Sequence, residues 1–84
     1  MGQKEKLMVR LKSHPCDFTF VEAERLLGYL GFVRDNKRRT SGSRVQFVNQ
    51  DGASIMIHIP HPGNQLKAYQ VKALLLMLEK EGLI

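Results

Sequence analysis

Residues 43–59 read SRVQFVNQDGASIMIHI, and this stretch decides the fold. Apolar and polar side chains alternate through Ser43–Asn49 and again through Ala53–Ile59, which is the pattern of strands with one buried face. The residues that connect them, Asn49–Gly52, form a strong turn signal. The stretch therefore predicts a β-hairpin with one apolar face and one polar face.

One helix precedes the hairpin and another follows it. Thr19 and Glu22 have the spacing of a capping box, and apolar residues then recur at helical spacing until Gly31. A second apolar stripe at helical spacing runs through residues 67–81. Residues 32–35, between the first helix and the hairpin, have the character of a short strand. The centre of the chain therefore forms a sheet, and its flanks form helices.

The expected elements are a short helix at about 4–11, helices over about 20–30 and 67–81, and strands over 32–35, 43–49 and 53–59. This order, (short helix)-α-β-β-β-α, predicts a small two-layer α+β fold. Its three-stranded antiparallel sheet should carry both main helices on one face. With 84 residues the chain is expected to be a single domain over 1–84, in which residues 1–16 form an N-terminal extension.

The composition excludes several classes of protein. The single cysteine, Cys16, cannot form an internal disulfide, and it lacks the neighbouring ligands of a metal framework. The longest apolar run, Ala73–Leu78, has six residues, whereas a membrane span needs about 20. No apolar signal segment occurs in residues 1–10. We therefore expect a cytoplasmic protein with no metal and no cofactor.

The positive charge is concentrated in the middle of the chain. The net charge is +5, and residues 32–67 hold six basic and two acidic side chains. Such an excess favours an anionic partner without identifying it.

Three motifs of this chain resemble the HicA-type toxin family. They are Gly42–Phe47 (GSRVQF), the Asp51-Gly52 turn and Ile59–Lys67 (IPHPGNQLK), and the resemblance covers about residues 20–83. HicA proteins are small basic toxins of HicAB toxin–antitoxin pairs. The resemblance implies a fold like that of a double-stranded-RNA-binding domain. It also implies mRNA interferase activity and neutralisation by a HicB-like antitoxin.

The chain departs from the family pattern at two positions. Family members usually carry a histidine after Gly-Ser, held to be the catalytic one, and this chain has Arg44 there. The family also tends to have proline where this chain has Ala68, which is a good residue for an early helical position. The first of these departures bears directly on catalysis.

Metal-independent RNA cleavage needs a base for the 2′-hydroxyl and an acid for the leaving 5′-oxygen. Histidine suits both roles, whereas arginine stays protonated, so it can hold a phosphate and stabilise developing charge but cannot transfer the proton. The catalytic candidates are therefore His61, which matches a family position, and His58, which does not. If the hairpin turn is centred on Gln50 and Asp51, the outward neighbour of His58 is Arg44 or Gln46. The alternative is that both histidines are merely polar surface or turn residues.

The candidate RNA-binding residues are Lys37, Arg38, Arg39, Ser43 and Arg44. Four cations among eight residues, with hydroxyl donors beside them, can bind the phosphates of an RNA backbone. The simpler interpretation is a solvated basic loop. Two other functions stay open, namely a non-catalytic RNA-binding module and a protein-interaction domain whose basic loop binds an acidic partner.

Four aromatic residues divide into two groups. Tyr29, Phe32 and Phe47 occur in apolar patterns and are expected in the core rather than as platforms for stacking bases. Tyr69, at the start of the last helix, fits either packing or contact with a phosphate.

Overall fold

The computed structural model describes residues 2–35, 44–60 and 63–84. These residues form the helices α1 (Gln3–Lys12), α2 (Phe20–Tyr29) and α3 (Ala68–Lys80), and the strands β1 (Val33–Arg34), β2 (Arg44–Val48) and β3 (Ser54–His58). The element order and the α+β class are as predicted from the sequence. In the described ranges no helix is long and apolar enough to cross a membrane.

Helix α2 begins at the predicted capping box. The Glu22 N–H donates to Thr19 Oγ1 at 3.1 Å, and the Thr19 N–H donates to Glu22 Oε1 at 3.1 Å. The two bonds satisfy backbone donors that the first helical turn would otherwise leave without an acceptor. The helix ends at Tyr29 with Leu30 as its C-cap, and Gly31 follows with φ +94°, a conformation that glycine adopts without strain.

The three strands form an antiparallel sheet in the order β1-β2-β3. The β2–β3 connection is a three-residue loop, because the Asn49 N–H donates to the Ala53 carbonyl at 3.1 Å. Asn49 Oδ1 accepts bonds from the N–H groups of Asp51 and Ala53, and Gly52 has φ +87°. The turn predicted over Asn49–Gly52 is confirmed, and its centre is Asp51 rather than the midpoint of Gln50 and Asp51.

One face of the sheet packs against the helices. Phe47, Ile55 and Ile57 are buried on this face, and the ring centroids of Phe20 and Phe47 lie 6.3 Å apart. Helix α3 adds a buried stripe at helical spacing, formed by Val71, Leu74, Leu75 and Leu78. All of these side chains belong to one cluster, so α2 and α3 cover the same face of the sheet, as predicted.

Two of the three aromatic residues expected in the core are found there. Phe32 and Phe47 are buried, but Tyr29 is 50% exposed, so its assignment to the core was wrong. The buried stripe of α2 ends at Leu26 and Leu27. At about 100° per residue, Tyr29 lies beyond the edge of that stripe.

Helix α1 is part of the same core. Leu11 is fully buried and Leu7 nearly so, and both belong to the cluster that α2, α3 and the sheet form. The short helix expected at about 4–11 is confirmed and is slightly longer. The N-terminal segment therefore contributes to packing rather than extending away from the fold.

Arg10 of α1 joins this helix to the beginning of α2. Its Nε lies 2.6 Å from Glu22 Oε2, and its Nη2 lies 3.0 Å from both Asp17 Oδ1 and the Asp17 carbonyl oxygen. The guanidinium also lies over the Phe18 ring, 5.7 Å from its centroid. The hydrogen bond from Arg10, aided by the Thr19 backbone bond, lowers the pKa of Glu22.

The segment before α3 is held against the beginning of α2. The Leu66 N–H donates to the Phe18 carbonyl at 2.7 Å, and the Phe20 N–H donates to the Asn64 carbonyl at 2.8 Å. Thr19 and Gln65 form an isolated antiparallel bridge between these two bonds. These contacts fix the segment that leads into α3 relative to the beginning of α2.

We expect Leu11→Ala to lower the free energy of unfolding by about 2–5 kcal/mol, because it leaves a cavity in a fully buried site. Urea unfolding followed by circular dichroism measures this change. Val9→Ala is the matched control, since Val9 lies on the same helix and is exposed. Its effect should stay within about 0.5 kcal/mol. Equal, small effects of both variants would show that α1 does not pack on the core in solution.

Glu22 should make the stability of the fold depend on pH. Because its pKa is lowered on folding, its contribution is complete above the ordinary glutamate pKa of about 4.3. The contribution is lost as the pH falls through the lower value of the folded state. The urea midpoints of the native chain and of Glu22→Gln should therefore differ at neutral pH and converge in acid.

The matched control is Glu81→Gln, at the exposed end of α3. This variant should follow the native chain at both neutral and acidic pH. A difference in urea midpoint between Glu22→Gln and the native chain that stays the same at all pH values would contradict the ionic role of Glu22.

Candidate nucleic-acid interface

Arg44 and His58 lie directly opposite each other on neighbouring strands. Arg44 begins β2, His58 ends β3, and the register pairs the two residues. Both are exposed, on the face of the sheet turned away from the helices. The structure thus selects Arg44 from the two neighbours that the sequence allowed for His58.

The hydrogen-bond pattern identifies this as a close pair. The Asp35 N–H donates to the Gln46 carbonyl at 2.8 Å, so the polar backbone groups of Gln46 face β1 rather than β3. In an antiparallel ladder the bonding direction alternates, so Arg44 and His58 also form a non-hydrogen-bonded pair. Side chains of such pairs lie on one face with their Cβ atoms about 5 Å apart.

The face of the sheet turned away from the helices, here called the outer face, is exposed because apolar and polar residues alternate along β2 and β3. Phe47, Ile55 and Ile57 face the core, which directs Gln46 and Met56 outward beside the Arg44–His58 pair. Met56 is 51% exposed. The predicted division of the hairpin into a buried face and an outer face is confirmed.

Gln70 holds the end of β3 against the first turn of α3. Its Nε2 donates to the His58 carbonyl oxygen at 3.0 Å, and its Oε1 accepts a bond from the Lys67 N–H at 2.9 Å. Gln70 is not among the site residues predicted from the sequence. A glutamine at the third position of a helix is a known capping residue and was the available signal. Its contact with His58 could not be read from the sequence.

A carboxylate lies close to this basic pair. Asp35 follows β1 and continues its register through the bond to Gln46, which places it on the Arg44 side of the sheet. Asp35 is only partly exposed. The outer face therefore combines a guanidinium, an imidazole and a carboxylate rather than forming an unbroken basic surface.

The arrangement joins two complementary chemical groups. An arginine offers a planar pair of donors that matches two phosphate oxygens and keeps its charge throughout the physiological range. A histidine beside it can accept or donate a proton near neutral pH. A phosphodiester is the kind of ligand that uses both groups at once.

The remaining predicted site residues are Lys37, Arg38, Arg39, Ser43 and His61, and they lie outside the described residues. Of the predicted site residues, the structure thus describes Arg44 and His58 and brings them together. In the described ranges no group of three or more histidine, cysteine, aspartate or glutamate side chains could hold a metal ion.

Comparison with known proteins identifies the family. The family model described as the HicA toxin of bacterial toxin–antitoxin systems matches residues 21–82, which include all of α2 except its first residue, the whole sheet and α3. No curated protein and no solved structure matches the chain. The family implies an antitoxin as the partner of this protein. Because the match spans well over half of the 84 residues, the chain belongs to the HicA toxin family.

Proposed function

We propose that this toxin binds RNA on the outer face of its sheet and cleaves mRNA without a metal ion. The observation that carries the proposal is the direct pairing of Arg44 with His58 on an exposed face. The family match and the net charge of +5 support an anionic substrate for this face. A HicB-like antitoxin is the proposed partner, and it acts by covering the same face.

The residues of the proposed site divide into three roles. Arg44 holds the scissile phosphate and stabilises the negative charge that develops on it. His58 and His61 transfer protons, and Lys37, Arg38, Arg39 and Ser43 bind neighbouring phosphates.

The proposed reaction is an internal transfer of the phosphate. The 2′-oxygen attacks phosphorus and gives its proton to one histidine, while the other histidine protonates the departing 5′-oxygen. The products are a 2′,3′-cyclic phosphate and a free 5′-hydroxyl, so no external nucleophile is consumed. This chemistry requires a ribose at the cleaved position.

We expect His58→Asn to reduce RNA cleavage by about 100-fold or more, because a positioned acid or base contributes that much or more. The assay incubates an in vitro transcribed mRNA with the purified chain in the presence of a chelator. His14→Asn is the matched control, since His14 is an exposed histidine in the segment before α2. The same sequence as DNA should stay intact. Intact RNA at high protein concentration would remove the enzymatic part of the proposal.

A second candidate function is a non-catalytic RNA-binding module on the same scaffold. The observation that favours it is the arginine at position 44, where the family usually has its histidine. In this alternative Arg44 binds the phosphates of the RNA, and the protein does not cleave the RNA.

The substitution Arg44→His distinguishes the two candidates. If the native chain is inactive because position 44 lacks the family's histidine, this variant should cleave RNA faster than the native chain. If His58 and His61 already form an active centre, it should gain nothing and bind RNA more weakly. Arg25→Gln, on the exposed side of α2, is the control for loss of one positive charge.

RNA affinity should also fall steeply with added salt, as expected for contacts to phosphate.

A further inference from the structure

A groove lies between strand β3 and helix α3. It has a volume of about 310 Å³, and apolar side chains form most of its wall, namely Met56, Leu66, Tyr69, Ala73 and Met77. Met56 and Tyr69 are 51% and 67% exposed, so two large side chains remain accessible beside it. An accessible apolar groove of this kind is typical of a surface that binds a partner.

Strand β3 is at the edge of the described sheet, with β2 on its other side. The Asn49–Ala53 bond sets the alternation along the hairpin, so the backbone groups of Ser54 and Met56 point away from β2. The His58 carbonyl points the same way, since it accepts the bond from Gln70. An edge with outward N–H and C=O groups can accept an added strand.

Helix α3 runs beside this edge and provides the second wall of the groove. Gln70 contacts the end of β3 at His58, and the groove continues along α3 to Met77. An extended peptide on the edge would direct every second side chain into the groove. The backbone of β3 would form hydrogen bonds with the peptide backbone, and the groove would select peptides with apolar residues at the positions that enter it.

The charges around the groove favour an acidic peptide. Among the described residues that line it there is no carboxylate, and His58 lies at one end. Lys80 and Glu81 follow Met77 by three and four positions and both extend towards the other end, whereas Glu79 lies on the opposite side of the helix. The preference for an acidic peptide therefore comes from the lining itself and from the net charge of +5. The chain as a whole carries +5, so a second copy of it would be repelled.

We propose that an extended acidic segment of the antitoxin binds in this groove as an additional strand beside β3. The proposal builds on the proposed function, because His58 belongs both to the RNA site and to the groove. A strand seated on the edge extends the sheet beside His58, and every second one of its side chains points to the outer face next to His58. Neutralisation then follows from exclusion of RNA and needs no change in the fold of the toxin.

The test selects peptides on the immobilised, folded chain from a displayed nonapeptide library. Alternate positions of the library are Val, Ile, Leu or Phe, and the others are Asp, Glu, Lys or Thr. The expected result is enrichment of Asp and Glu over Lys, with slowed amide exchange at Ser54 and Met56 when a selected peptide is bound. No enrichment, enrichment of Lys, or protection elsewhere on the chain would overturn the proposal.

Two matched pairs of variants locate the contact. Lys80→Glu should weaken the binding of a selected peptide by roughly fivefold, whereas Lys4→Glu, the same change in net charge at an exposed position of α1, should not. Ala73→Glu should lower the affinity for the selected peptide more than Ala73→Gln does, because glutamine fills the groove without adding a negative charge. Equal effects within either pair would overturn the role of the groove or of its charge. Self-association of the native chain that Ala73→Glu abolishes would assign the groove to a second copy instead.

RNA assays separate this proposal from the proposed function. If the chain selects acidic peptides but binds no RNA, the assignment of the groove to a peptide stands and the proposed RNA site is wrong. RNA cleavage that a saturating selected peptide does not inhibit would show that the groove does not control the site. Inhibition by the peptide is the expected result.

Discussion

The register between β2 and β3 is the constraint on which the rest of this structure depends. Phe47 lies opposite Ile55, and Val45 lies opposite Ile57, so the apolar sides of both strands coincide. An odd number of loop residues is required for this, and the loop from Gln50 to Gly52 has three. A shift of one residue would place Arg44 opposite Ile57 and divide the apolar side chains between the two faces.

The register has a second consequence on the outer face. Because the apolar residues must face α2 and α3, the polar residues of the same strands must face solvent. Arg44 and His58 meet there as a result of core packing and do not need an interaction of their own. A pair formed in this way costs the core little, since neither side chain contributes to the buried cluster. The outer face is therefore free to carry binding chemistry.

The N-terminal helix stabilises the region from which α2 and α3 begin. Leu11 fills the core, while Arg10 binds Asp17 and Glu22 at the beginning of α2. The family match begins at residue 21, so Arg10 ties a helix outside the match to Glu22 within it. The same region bonds to residues 64–66, which lead into α3 and so towards Gln70 and His58. The position of the candidate site thus depends on packing that begins at α1.

The sequence by itself determined the elements of this protein and the faces of its hairpin. Those signals are local, as in the capping box of Thr19 and Glu22 or the alternation of apolar residues along each strand. Only the tertiary structure decided that Arg44 faces His58, that Gln70 bonds to the end of β3 and that Leu11 belongs to the core. Each of these contacts joins residues distant along the chain, and its geometry follows from how whole elements pack. Periodicity describes one element at a time, so it can assign a side chain to a face but not choose the residue that it meets there.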